Sequence, residues 1–201
     1  MAAKTSKMQV KFAQTHSENE KKLYQLFLKK SFLVRHPPEK PFKLASGLES
    51  YRYFDCKMVT HDPEGVNLIA GIILDRISHY PRVDAVGGLE TGAIPIAVAV
   101  AQLSYLRGNA IPAFFVRQNQ KKHGTEKWVE GNLQDGANVV IVDDVTTKGG
   151  SVGKAVQEVE KLGCTVLEII TLVDREEGAS DRFKKYRFTP IFRMSEFPVS
   201  E

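Results

Sequence analysis

The sequence predicts an α/β fold, a central parallel sheet flanked by helices, with a small hood from the N-terminal segment. Two observations lead there. From residue 62 onward, short β-branched runs alternate with stretches of helical apolar spacing, the pattern of a parallel sheet built through crossover helices. The run Val139-Val140-Ile141-Val142 leads straight into Asp143-Asp144, then into Val145-Thr146-Thr147-Lys148-Gly149-Gly150-Ser151 and an amphipathic stretch. Such a run reads as a buried strand that ends in a tight turn and opens a helix.

The chain has 201 residues, 42% of them hydrophobic and 26% charged, enough for one soluble domain with a sizeable core. It divides into a polar arm (1–17), an N-terminal helix with the hood (18–60) and a core (61–201). The net charge of +4 suits a polyanionic small substrate as well as nucleic acid, so it decides little. Cys56 and Cys164 have no Cys or His neighbour at metal spacing; they read as reduced thiols of a cytoplasmic protein, not as a zinc site. Met1 to Lys22 is polar and carries no secretory signal. The longest uncharged apolar stretch, Ala93 to Leu106, falls short of the ~20 residues a membrane span needs.

In chain order, Ser17 with Glu20 forms a capping-box pattern that starts a helix running to about Phe32, with Leu23, Leu26 and Phe27 on one face. His36-Pro37-Pro38 breaks it. Phe42 to Cys56 reads as two short strands around a turn at Ser46-Gly47, either an aromatic cluster over the sheet or a lid for a flat ligand. Asp62-Pro63 starts a second helix whose Val66, Ile69, Ala70, Ile73, Leu74 and Ile77 make one stripe. Val83 to Val86 is a strand and 87–92 a glycine-rich loop. Ala93 to about Leu106 is a helix with so little polar surface that it should be buried on most sides. Ile111 to Val116 is the next strand. The polar, basic segment 117–127 follows it, and Trp128 to Leu133 returns as a hairpin arm. After the central strand, Val152, Ala155, Val156, Val159 and Leu162 line a helix that stops at Gly163. Thr165 to Val173 is a strand, 174–178 a loop, Ala179 to Tyr186 a short helix, and Phe188 to Phe192 a last strand.

Loops 87–92, 117–128, 143–151 and 174–178 would then meet at the carboxyl rim of the sheet, where open α/β sheets bind ligands. Backbone N–H groups of a tight turn at a helix N-terminus cradle an anion, and two adjacent acids suit sugar hydroxyls. The spacing is neither a Walker A motif nor a dinucleotide fingerprint. The rim therefore reads as a sugar-phosphate site. The basic loop is either a solvated loop or a lid over that site.

Val-Asp-Asp-Val-Thr-Thr-Lys-Gly-Gly-Ser resembles the phosphoribosyl pyrophosphate (PRPP) motif of type I phosphoribosyltransferases. Three further stretches resemble orotate phosphoribosyltransferases: Phe115-Val116-Arg117 through His123-Gly124 is similar to their mobile catalytic loop, Leu172 to Gly178 to their orotate loop, and Leu44 through Phe54 to their hood. The likeness runs over about residues 20 to 195. It implies the type I phosphoribosyltransferase fold and transfer of phosphoribosyl from PRPP to orotate, giving orotidine 5′-monophosphate and pyrophosphate in pyrimidine (UMP) biosynthesis.

The resemblance also implies roles. Asp143 and Asp144 would hold the ribose hydroxyls, with Val145 beside them. Thr146, Thr147, Lys148, Gly149, Gly150 and Ser151 would hold the 5′-phosphate. Glu90, Thr91 and Gly92 would approach the pyrophosphate. Arg117, Lys121 and His123 would close over it from the neighbouring subunit of a homodimer and, with Asp144, act in catalysis. Arg175 would pair with the orotate carboxylate, Thr147 would help, and Phe54 or Tyr53 would flank the ring. Mg²⁺ would ride on PRPP rather than in a protein cage, with Asp143 and Asp144 nearby. Neither nucleic acid nor membrane is implied as a partner. The chain departs from many relatives at Ala45, Thr91 and Gln118, where they carry Lys; Lys43, Lys122 and Lys127 are candidates to compensate. Transfer to another nucleobase and a non-catalytic PRPP sensor are the alternatives. Arg175 argues against the first, since neutral bases lack a carboxylate. The retained loop cations, and the lack of a segment long enough for a DNA-binding domain, argue against the second.

Overall fold

A computed structural model describes residues 12, 15–43, 47, 49–119 and 127–198. Helix α1 (Glu18–Leu26) starts at the capping box: Glu20 N–H donates to Ser17 Oγ at 3.2 Å and Ser17 N–H to Glu20 Oε2 at 2.8 Å. It ends earlier than the spacing predicts, passing through one wider turn at Phe27–Ser31 into strand β1 (Phe32–Val34). The cause is tertiary: β1 pairs antiparallel with β4 (Arg52–Phe54), and that ladder outweighs continued helix. Strands β2 (Phe42–Lys43) and β3 (Glu49–Ser50) form the other hood hairpin. Gly47 in its turn has φ +82°, a conformation that favours glycine; Ala45 and Ser46 lie outside the described residues.

Helix α2 (Lys57–Thr60) is short. Helix α3 (Pro63–Ile77) begins where Asp62 Oδ1 accepts from the Gly65 N–H at 3.0 Å, with proline in the first turn. The sheet then follows: β5 (Ala85–Leu89), α4 (Ala93–Leu106), β6 (Ala113–Val116), β7 (Val129–Gly131), β8 (Asn138–Thr146), α5 (Gly150–Glu160), β9 (Thr165–Asp174), α6 (Ala179–Arg182) and β10 (Phe192–Arg193). Strand order is β10-β9-β8-β5-β6-β7, parallel except for β7, which is the antiparallel hairpin arm.

Side-chain alternation sorts β8 between two cores. Val140 and Val142 pack with Leu23 of α1, Ile69 and Ile73 of α3 and Ile96 of α4; Val139 and Ile141 pack with Val152, Val156 and Val159 of α5. All four are fully buried, each worth about 1.5–3 kcal/mol of apolar transfer.

Several boundaries differ from expectation. Gly87 and Gly88 belong to β5, not to a loop. A Cβ on Gly87 would lie 2.3 Å from the Phe114 carbonyl oxygen, and one on Gly88 would lie 2.1 Å from that of Val142, so close packing between elements explains both glycines. β8 continues through Asp143, Asp144, Val145 and Thr146 because β9 keeps pairing with it as far as Thr146 with Asp174. The acids are strand residues. α4 is not buried on most sides: Ala93, Ile96, Ala97 and Val100 face the core, while Val98, Tyr105 and Leu106 are 56%, 74% and 70% exposed. α6 stops at Arg182, and Phe188 makes only an isolated bridge to Ile169 before β10. Of the N-terminal arm, Phe12 and His16 stack at 4.1 Å and reach the rings of Tyr24 and Phe192.

Candidate active site

At the carboxyl ends of β5 and β8 lies a cavity of about 490 Å³. Its floor is Asp143, Asp144 and Val145. Leu89, Glu90, Thr91 and Gly92 also line it, with Lys57 and Thr60 of α2, His61 just after that helix, Pro95 and Ser151.

The two acids differ in environment. Asp143 is 5% exposed and its Oδ1 accepts the Asp144 N–H at 3.0 Å. Burial, and next the charge of Asp144, push its carboxyl well above the usual range. Asp144 is half-buried and turns Oδ1 to the Val145 N–H at 2.8 Å. Gly92 lets the adjoining loop close over both: a Cβ there would stand 2.6 Å from Asp144 Oδ1 and 2.9 Å from Asp143 Oδ1. The Glu90–Thr91 peptide in this loop is cis.

The turn after β8 opens α5. Gly149, with φ +74°, stands at its N-cap, and a Cβ there would meet the Phe183 ring at 2.5 Å. Lys148, Gly150 and Ser151 are exposed and Thr147 is half-buried, leaving this turn open to an anion at the start of an 11-residue helix. Thr146 is placed differently from expectation. It is 2% exposed with a buried hydroxyl, because it belongs to the β8 ladder, and its carbonyl accepts the Arg175 N–H at 2.9 Å.

That bond joins the loop after β9 to the site. Arg175 lies between the sheet and the hood. Its Nε donates to Glu177 Oε1 at 2.9 Å and an Nη donates to the Arg52 carbonyl at 3.4 Å, with the side chain 7% exposed. Asp174, fully buried, accepts the Glu176 N–H at 2.9 Å and fixes the loop's turn. Phe54 is not free to flank a ligand ring. It is 5% exposed and packs edge-on to Phe197 at 4.6 Å and beside Phe32 at 5.0 Å. Strand alternation turns its neighbour to the opposite face, where Tyr53 is half-buried and stacks on Phe42 at 5.3 Å.

Arg117 stands at the other stem. Its Nε donates to Glu130 at 3.0 Å and its N–H to the Trp128 carbonyl at 2.8 Å. Next to it, Gln118 N–H donates to Glu90 Oε1 at 2.8 Å, and Lys154 of α5 reaches the Gln118 carbonyl and lies over the Trp128 ring at 4.5 Å. Lys121 and His123 lie outside the described residues.

Reading the sequence missed Lys57, Thr60, His61, Glu177 and Lys154. The first three carried a signal: positions i, i+3 and i+4 share one face of a helix. Glu177 and Lys154 carried none, since their partners are brought together only by folding.

This arrangement has counterparts. The phosphoribosyl transferase domain family matches residues 55–201, a span that contains every residue lining the cavity, and so fixes the class. Within that class the chain belongs to the orotate phosphoribosyltransferases. The orotate phosphoribosyltransferase of Bradyrhizobium diazoefficiens is 44% identical over 160 residues, 77% of this chain and 85% of that protein. Among solved structures, Mycobacterium tuberculosis orotate phosphoribosyltransferase in complex with Fe(III) dicitrate matches with a TM-score of 0.76 and 28% identity, covering 90% of this chain and 99% of that one. The same enzyme in complex with PRPP matches with a TM-score of 0.71 and 28% identity, covering 89% and 98%.

Proposed function

We infer that this chain transfers the 5-phosphoribosyl group from PRPP to orotate, giving orotidine 5′-monophosphate and pyrophosphate in pyrimidine (UMP) biosynthesis. The observation that carries this is the pair of β8 carboxylates under Gly92, with an open helix-starting turn on one side and Arg175 on the other. Asp143 and Asp144 accept hydrogen bonds from the ribose hydroxyls. The N–H groups and hydroxyls around Thr147 to Ser151 receive the 5′-phosphate. Arg175, its Nε held by Glu177, directs guanidinium N–H groups at the orotate carboxylate, a geometry lysine cannot copy. Tyr53 flanks the ring. Orotate N1 attacks C1′ as the bond to pyrophosphate breaks, with inversion at C1′, through an oxocarbenium-like transition state. Negative charge grows on the leaving group, and cations positioned around it accelerate the step.

Arg117, Lys121 and His123 supply part of that charge by closing over the site from a second copy of the chain. The exposed apolar residues Val98, Tyr105 and Leu106 of α4 support a homodimer, because such a patch is stabilised by being covered. Mg²⁺ is part of the same reading. The carboxylates of Asp143 and Asp144 in the cavity lining are hard oxygen ligands, the kind that suits an ion arriving on PRPP. When bound, it neutralises pyrophosphate charge. Unpaired Cys56 and Cys164 support a cytoplasmic location, and no helix among the described residues is long and apolar enough to cross a membrane.

Mixing the protein with PRPP, MgCl₂ and orotate is expected to consume the orotate absorbance. Turnover with a purine base and none with orotate would overturn the acceptor; PRPP binding without turnover on any base would make the chain a sensor.

A further inference from the structure

The loop Glu90–Gly92 carries Thr91 at its centre, which offers no charge to a pyrophosphate, and it brings in the carboxylate of Glu90. The floor adds Asp143 and Asp144. The cavity therefore presents three carboxyl groups to a ligand that is itself polyanionic. Among the described residues, Lys57 is the one lysine or arginine that lines it. Arg117 stands at the loop stem, outside this lining, paired with Glu130.

We propose that Lys57, with His61 beside it, is the cationic wall that binds the pyrophosphate group of PRPP and stabilises it as it leaves. This rests on the transferase reading above. Lys57 opens α2 directly after hood strand β4, so the hood sets its distance from the β8 acids. Its Nζ stands 3.1 Å from Asp55 Oδ1, which aims the ammonium, while the side chain stays 64% exposed and able to meet a ligand. The Asp55 carboxylate beside it, and to a smaller degree the charge of Asp144, hold its pKa above the ordinary lysine value, so the charge is present at working pH. His61 Nδ1 lies 3.1 Å from both the Lys57 carbonyl and Thr60 Oγ1, which fixes the ring beside Lys57. Lys57 thus brings to the cavity the cation that the Glu90–Gly92 loop lacks.

The test is equilibrium binding of inorganic pyrophosphate in MgCl₂ to the full chain, beside steady-state kinetics. Lys57→Gln is expected to weaken pyrophosphate about tenfold or more, the worth of one charge-assisted hydrogen bond. It should also raise KM for PRPP or lower kcat while KM for orotate moves less than about twofold. Lys57→Arg keeps the charge and should retain most of the affinity. Melting temperatures separate binding from folding, and an exposed side chain predicts little change. Pyrophosphate affinity unchanged in Lys57→Gln would overturn the proposal. So would equal weakening by Gln and Arg, which would assign Lys57 a packing role. Absence of orotate turnover in the unmodified protein would instead strike the transferase reading, while the pyrophosphate comparison still decides the role of Lys57.

Discussion

Replacing Asp143 with asparagine should make the protein more stable and less active. The carboxyl is 5% exposed, and among the described residues its hydrogen-bond partner is the Asp144 N–H, which an asparagine Oδ1 can still accept. Burial and the neighbouring Asp144 raise its folded pKa well above the ordinary aspartate value. The folded state therefore binds this proton more tightly than the unfolded state does. Stability falls as pH rises from about 4, the unfolded value, through the folded pKa, at about 1.4 kcal/mol for each unit between them. Above the folded pKa the full cost of a buried, poorly compensated carboxylate is present, about 1–3 kcal/mol. Asparagine removes that cost. For a chain of this size the gain corresponds to about 2–4 °C in Tm per kcal/mol. Thermal melts of both proteins at pH 8 should show the variant higher, with the gap closing towards pH 4. Orotate assays should show kcat/KM for PRPP reduced about tenfold or more, because one strong acceptor for the ribose is weakened. A variant that melts at or below the parent at pH 8 would refute the claim that this carboxyl is held at a cost to folding.

Gly88→Ala should destabilise by about 1–3 kcal/mol or prevent folding, since the added methyl would lie 2.1 Å from the Val142 carbonyl oxygen of β8; chemical denaturation measures it, and a neutral result would show that β5 and β8 have room to part. Arg175→Lys should raise KM for orotate about tenfold or more with KM for PRPP nearly unchanged, because the forked contact is lost; equal effects on both substrates would refute the assignment. Glu177→Gln should produce a milder version of the same split, as Arg175 loses its ionic partner at 2.9 Å. Mixing Lys121→Ala with Asp144→Asn protein, each inactive alone, should restore partial activity if each hybrid dimer rebuilds one site; verified hybrids without activity would place the loop in its own subunit's site.

Much of this was legible from one dimension. The capping box at Ser17, the proline start of α3 and the ends of α4 follow from local chemistry, and local chemistry survived folding. The alternation of β8 between two cores was implicit in four consecutive apolar residues. Where reading failed, the deciding force was non-local. Gly87-Gly88 looks like part of a glycine-rich loop because a glycine pair cannot announce whether it admits a ligand or a neighbouring strand. Asp143 to Thr146 look like a loop because polar residues suggest one, yet β9 supplies hydrogen bonds that keep them extended. Phe54 and Tyr53 are adjacent aromatics, and only pairing register decides which one faces the core. α4, apolar but for Gln102 and Ser104, gave little sign that one face stays exposed.

The stems of the basic loop have a geometric consequence. Gln118 is tied to Glu90 and Lys154, and Trp128 to Lys154 and the Arg117 N–H, so both ends are pinned to the site's own rim. Covalent geometry then sets a tether length. From Gln118, the Cα of Lys121 can travel at most about 10 Å and that of His123 about 17 Å, even with the chain fully drawn out. A cation on so short a leash can serve another subunit only if that subunit's cavity opens within this radius plus the length of the side chain that carries the charge. A homodimer that shares this loop would therefore be one in which two rims face each other closely, and measuring that separation would decide which site each loop can reach.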